Sequence, residues 1–146
     1  MKVGIGCDPN ASDMKHEIID ELTSLGHEVV DFGSDDPIYA NVAIEVAQKV
    51  VAKECERGIV LCGTGIGVSL AANKVHGAYC ALVTDVYQAQ RATLSNNANM
   101  IAIGAQVTGV KIARLLAKTF LENSYVPGGR SDDKIERIYN YEKENR

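Results

Sequence analysis

Five short apolar runs recur along the chain, each followed by a stretch in which apolar residues return every three or four positions. The runs are Val3–Cys7, Glu28–Phe32, Gly58–Cys62, Ala78–Val83 and Met100–Gly104. Most show no alternation with polar residues, as expected of strands buried on both faces. Between them, Met14, Ile18, Leu22 and Leu25 make one helical stripe and Val42, Val46 and Val50 another. Residues 65–74, 86–95 and 108–122 carry the other helical patterns. Gly26-His27 closes the first helix in the manner of a glycine-terminated helix. After Pro127-Gly128-Gly129 a last helix is predicted through Ile135, Ile138 and Tyr139. It has few apolar positions, so it is expected to pack on a partner subunit. Strand–helix alternation with short connections predicts an α/β fold, one domain over residues 1–146 with a five-stranded parallel sheet covered by helices.

Such a sheet takes ligands at the carboxyl ends of its strands, near the switch in strand order. The residues there are Asp8, Pro9 and Asn10 after the first strand, Cys62 to Gly67 after the third, Thr84 and Asp85 after the fourth, and Ala105 and Gln106 after the fifth. Composition narrows the function. The formal net charge is −4 and no two basic residues are adjacent, which argues against a nucleic-acid partner. No apolar run approaches the ~20 residues of a membrane span, and the N-terminus enters a strand pattern directly, so neither membrane insertion nor a signal peptide is expected. The four cysteines, Cys7, Cys55, Cys62 and Cys80, form no CxxC pair. With three scattered histidines they predict a cytoplasmic protein without disulfides and without a metal site.

The sharpest chemical signal is Cys62-Gly63-Thr64-Gly65-Ile66-Gly67 between a strand and a helix. Closely spaced glycines let successive backbone N–H groups converge on an anion, and the following helix adds its positive end. A thiol at the mouth of such a nest is expected to have its thiolate favoured. The loop is no Walker A sequence, because no Gly-Lys-Ser/Thr follows. Taken alone it reads equally as a tight turn with a strand-end cysteine. Asp8 is placed to accept substrate hydroxyls, although a residue so placed more often caps a helix or a turn. A phosphoacceptor domain would need a second aspartate at the position of Cys62. Ser95, Asn96 and Asn97 end the fourth helix, and Arg130 and Lys134 would share one helix face if the last helix began at Arg130. Two such cations suit a phosphate, or simply a solvated face.

Cys62-Gly63-Thr64-Gly65-Ile66-Gly67, followed by Ala71-Ala72-Asn73-Lys74, closely resembles the type B ribose-5-phosphate isomerases, a family that includes the galactose-6-phosphate isomerase subunits. The likeness spans nearly the whole chain, through Gly6-Cys7-Asp8, Lys15, Asn96, Gly104, Gly109 and Gly129-Arg130. It implies a three-layer Rossmann-like fold, a homodimer or dimer of dimers with active sites at subunit interfaces, and aldose–ketose isomerisation of a small sugar phosphate through a cis-enediolate, without a cofactor. In that likeness Cys62 is the base, and Thr64 with the amides of Gly63, Gly65, Ile66 and Gly67 holds the enediolate oxygens. Asp8 binds hydroxyls and helps move protons between O1 and O2. Asn96 binds substrate, and Arg130 and Lys134 hold the phosphate.

The chain also departs from the family pattern. Pro9 replaces a histidine after the first aspartate, Ser95 replaces the ring-opening histidine, Gln106 replaces a phosphate-binding arginine, and Ser131 and Lys134 replace a histidine and an arginine. Arg91 is the nearest cation to compensate. A tetrose 4-phosphate has its O4 esterified and closes no furanose, so its isomerase needs no ring-opening group. The stretches Tyr39-Ala40-Asn41, Tyr87 to Asn99 and Gly129-Arg130-Ser131 are similar to erythritol-pathway tetrulose-phosphate isomerases. The reading is therefore a tetrose 4-phosphate isomerase. The alternatives are a ribose-5-phosphate isomerase, a non-catalytic subunit of a hetero-oligomeric isomerase, and a nucleotide-binding or signalling module on the same scaffold.

Overall fold

The computed structural model describes residues 1–145. Strands β1 (Lys2–Cys7), β2 (Glu28–Asp31), β3 (Arg57–Cys62), β4 (Cys80–Leu82) and β5 (Met100–Gly104) form one parallel sheet in the order β2-β1-β3-β5-β4. Its helices are α1 (Ser12–Ser24), α2 (Tyr39–Val51), α3 (Ile66–Ala72), α4 (Val86–Leu94), α5 (Val110–Glu122) and α6 (Asp132–Glu144). Alternation along the strands sorts the core into two halves. Val3, Ile5, Ile59, Leu61, Ile101 and Ile103 face α1, α4 and α5, while Val60, Cys62, Met100 and Ala102 face α2 and α3. The result is the expected three-layer α/β fold. No helix among the described residues is long and apolar enough to cross a membrane.

Several boundaries differ from the periodicity for local reasons. β4 is shorter than Ala78–Val83, because Gly77 turns the chain with φ +94° and Asn99 pins the segment, donating to the Gly77 carbonyl at 2.9 Å and accepting from the Tyr79 amide at 2.8 Å. The third helix stops before residue 74, where Asn73 bonds both the carbonyl and the amide of Cys80 at 2.9 and 2.8 Å. Leu25, placed by spacing in the first apolar stripe, sits at the C-cap of α1 and is exposed; Gly26 (φ +91°) turns the chain there. The last helix begins at Asp132, so Arg130 precedes it and shares no helix face with Lys134. The Asp132 carboxylate accepts from the Tyr125 hydroxyl and, at 2.7 Å, from the Gly128 amide, which holds the chain in a turn up to that point. α6 leans on its own chain, with Ile135 buried and Ile138 and Tyr141 exposed.

Candidate active site

A cleft of about 400 Å³ opens between the carboxyl ends of β1 and β3, where the strand order switches. Asp8, Tyr39, Cys62, Gly63, Thr64, Ile66, Gly67 and Leu70 line it. Asp8 does both things its position allowed. Its carboxylate caps the 3-10 turn Pro9–Ala11, accepting from the amide and side chain of Asn10 at 3.1 and 3.2 Å, and it reaches the cleft while only 6% exposed. Pro9 stands exposed beside it, as the first residue of that turn. Cys62 ends β3 with its side chain toward α2 and α3, 5% exposed, and the Gly65 amide donates to its Sγ at 3.2 Å.

Steric limits determine the shape of the loop. Gly65 caps α3 with φ +80°, a conformation that glycine adopts without penalty. A Cβ on Gly104 would lie 2.4 Å from the Thr64 carbonyl oxygen, so β5 passes beneath the loop with no room for a side chain. The nest is partly self-satisfied. The Gly65 N–H is directed to Cys62 Sγ and the Ile66 N–H donates to Thr64 Oγ1 at 3.2 Å. Because Thr64 Oγ1 accepts that bond, its own hydroxyl proton is left to point elsewhere. Gln106 lies over the loop, its side chain 3.2 Å from where a Gly63 Cβ would sit, and its amide donates to the Gly63 carbonyl at 2.8 Å.

The remaining predicted residues lie at the other edge of the sheet. α4 starts after the carboxyl end of β4 and runs back, so Ser95 and Asn96 lie near the amino end of β5. Arg91, partly buried, donates from Nε to Ser95 Oγ at 2.7 Å. Asn96, which is exposed, shares a groove with Tyr79, Ile135, Ile138 and Tyr139. α5 likewise runs back, bringing Arg130 and Lys134 to this edge, both exposed. One strand length, roughly 15 Å, separates this group from Cys62. Asp8, Cys62 and Thr64 line one cleft, and Asn96 lines another. Thr84 and Asp85 are taken up in starting α4, through bonds to Gln88.

Two features escaped the sequence reading. Tyr39 opens α2 after the β2 strand end and packs against α3 at Gly67, where a Cβ would fall 2.2 Å from its ring. Behind the cleft, Lys15 is buried and donates to both Asp31 oxygens at 2.8 and 2.9 Å and to Ser34 Oγ at 3.1 Å. Burial pushes the Asp31 carboxyl up, but the Lys15 bonds, the Gly33 amide and the Lys15 charge outweigh it and hold the pKa below the ordinary value. The neighbouring Cys7 is pushed up to about 12, chiefly by burial, which makes it a poor nucleophile near neutrality. All four cysteines are free thiols.

A family model described as Ribose/Galactose Isomerase matches residues 3–138. The chain belongs to this family. Among its relatives is a D-erythrulose-4-phosphate isomerase of Pectobacterium atrosepticum, 42% identical, with 97% of this chain and 95% of that protein covered. A ribose-5-P isomerase B of Listeria innocua is 38% identical over the full length of both chains. The solved structure of Clostridium thermocellum ribose-5-phosphate isomerase B superposes with a TM-score of 0.94 at 40% identity, covering both chains completely. As a family member this chain is an enzyme, an isomerase of the aldose–ketose type.

Proposed function

We propose that the enzyme interconverts a tetrose 4-phosphate and the matching tetrulose 4-phosphate with Cys62 as the base. The observation that carries the chemistry is the shared cleft of Cys62 and Asp8, with the Gly65 N–H on the sulfur and the Thr64 hydroxyl beside it. The Cys62 thiolate takes the proton from C2 of the aldose, and the electron pair moves into a C1=C2 enediolate. Thr64 and the unoccupied loop amides donate to its oxygens, where charge develops. Asp8 carries a proton between O2 and O1, and the Cys62 thiol returns its proton to C1. Atoms and electrons balance without any co-reactant.

The substrate length rests on Ser95. It stands where the resembled family carries its ring-opening histidine, and its hydroxyl is engaged with Arg91. Neither it nor Asn96 is an acid or base near neutral pH, which suits a substrate that closes no furanose ring. The relative named D-erythrulose-4-phosphate isomerase supports the same reading. Arg91, Arg130 and Lys134, with Asn96, bind the phosphate end of the substrate. They lie one strand length from Cys62, so each active site takes its base from one copy of the chain and its cations from another. Exposed Ile38, Tyr39, Ile66 and Leu70 around the cleft, and Ile138 and Tyr141 on α6, supply apolar surface for that contact.

A second reading, ribose 5-phosphate as substrate, is favoured by the relatives named ribose-5-phosphate isomerase B that cover the whole chain. A panel of phosphorylated tetroses, pentoses and hexoses separates the two. The proposal expects kcat/KM for tetrulose 4-phosphate to exceed that for ribose 5-phosphate by at least about 10²-fold. Equal or better turnover of ribose 5-phosphate would establish the second reading.

A further inference from the structure

α6 carries Lys134 in its first turns and follows Arg130 directly, yet it has little apolar anchorage. Ile135 is its one buried residue among those described. What sets the angle of the helix is a group of polar and ring contacts toward its far end. About two turns beyond Ile135, roughly 10 Å along the axis, the Glu142 carboxylate accepts from the Gly77 amide at 3.0 Å and from the Tyr79 hydroxyl at 2.6 Å. The Tyr79 and Tyr139 rings meet at 5.0 Å between centroids. The Asn97 side-chain amide donates to the Tyr139 hydroxyl at 3.1 Å.

The ground on which α6 is fastened is itself rigid. Asn99 clamps the Gly77 carbonyl and the Tyr79 amide, and Asn97 holds φ +50°, a left-handed backbone that asparagine tolerates better than most residues. Both fastenings therefore run to the short segment 96–99, which begins with Asn96. Charge-assisted bonds such as those of Glu142 are the strong, geometrically demanding ones.

We propose that Tyr79 and Glu142, with Asn97 and Tyr139, form a latch that fixes α6 against segment 96–99 and so sets Arg130 and Lys134 at the spacing from Asn96 that a phosphate requires. They are positioning residues and touch no substrate. The inference rests on the phosphate assignment made above.

The test uses the full-length protein, with inorganic phosphate as the probe and calorimetry as the readout. The variants are Tyr79→Phe, Glu142→Gln and Asn97→Gly, the last chosen because glycine keeps the positive φ. Arg130→Ala reports on the assignment itself. The rate of Cys62 alkylation by iodoacetamide reports on the opposite edge. The latch predicts that phosphate Kd rises on the order of tenfold in Tyr79→Phe and Glu142→Gln, with Cys62 alkylation unchanged. It also predicts that the double variant Tyr79→Phe/Glu142→Gln weakens phosphate little more than either single one, since both break one fastening. If Arg130→Ala weakens phosphate but the latch variants bind it as the unaltered protein does, the latch is wrong and the assignment stands. Parallel changes in Kd and alkylation rate would reduce these residues to general structural supports and overturn the latch as well. If Arg130→Ala binds phosphate normally, the assignment fails and takes the latch with it.

Discussion

At the carboxyl edge of the sheet the candidate catalytic groups hang on backbone that has nowhere to go. Cys62, Thr64 and Asp8 are fixed by strand ends, a left-handed Gly65 and a Gly104 that leaves no space for a Cβ. At the amino edge one candidate phosphate ligand, Lys134, sits on an exposed helix held by side chains, the Glu142–Tyr79 and Tyr139–Asn97 contacts, and Arg130 lies in the turn just before it. Proton transfer demands sub-ångström placement, and a misplaced base is expensive. Holding a phosphate is a matter of charge and tolerates long, flexible cations. The departures from the resembled family at Ser131 and Lys134 fall at the softer edge, whereas the one at Gln106 lies over the rigid loop.

The comparison breaks first at the sulfur. Cys62→Ala is expected to lower kcat by about 10²–10⁴-fold, the usual worth of a positioned base, while urea unfolding stays close to that of the unaltered protein. Cys55→Ala, far from the cleft, is expected to leave kcat unchanged. A Cys62→Ala enzyme with near-normal kcat would remove the sulfur from the mechanism.

Rigidity at the same edge is tested at Gly104. Its Cβ would press on the Thr64 carbonyl, a backbone atom that shifts only with the whole loop. Gly104→Ala is expected to cost about 1–3 kcal/mol of stability and to lower kcat about 10²-fold by displacing the loop. A Cβ in Gly67→Ala meets first the Tyr39 ring, a side chain rather than backbone, so its effect on kcat is expected to be the smaller. Equal effects in steady-state kinetics would mean that the loop is softer than its packing implies.

How much of this was legible follows from where each signal lies. Periodicity carries the strands and helices, and the glycine loop marks the carboxyl edge because Gly65 takes a left-handed backbone there. Tyr39 was not legible as a cleft residue: it follows β2, whose polar end Asp31-Phe32-Gly33-Ser34 carries no catalytic pattern. The spacing of Arg130 and Lys134 makes a helical pair only if the helix begins at Arg130, and Asp132 holds that stretch in a turn instead. The separation of the candidate residues onto two edges is a property of topology. It appears once α4 and α5 are seen to run back along the sheet, and spacing in the sequence carries no trace of it.

The smallest expected effect lies behind the catalytic edge. Asp31 is held below the ordinary carboxylate pKa, so the native protein binds fewer protons there than the unfolded chain. That contribution is present above the unfolded value of about 4 and is lost as pH falls through the lower, folded value. Urea midpoints measured from neutrality down to strong acid are expected to decline below about pH 4. In Asp31→Asn the decline is expected to be shallower, from a slightly lower neutral-pH stability, because buried Lys15 loses its exposed partner. An unchanged acid profile would show that the ion pair contributes nothing to pH dependence.

The central claim is that one active site draws on both edges, and hence on two copies of the chain. Mixing Cys62→Ala with Arg130→Ala, each inactive alone at limiting substrate, tests it most directly. After unfolding and refolding together at equal concentration, half of the dimers carry one chain of each kind. The account predicts recovery of roughly a quarter of the unaltered activity, since each mixed dimer restores one site out of two. No recovery, with mixed dimers demonstrated by mass spectrometry, would contradict it and return all the functional residues to a single chain.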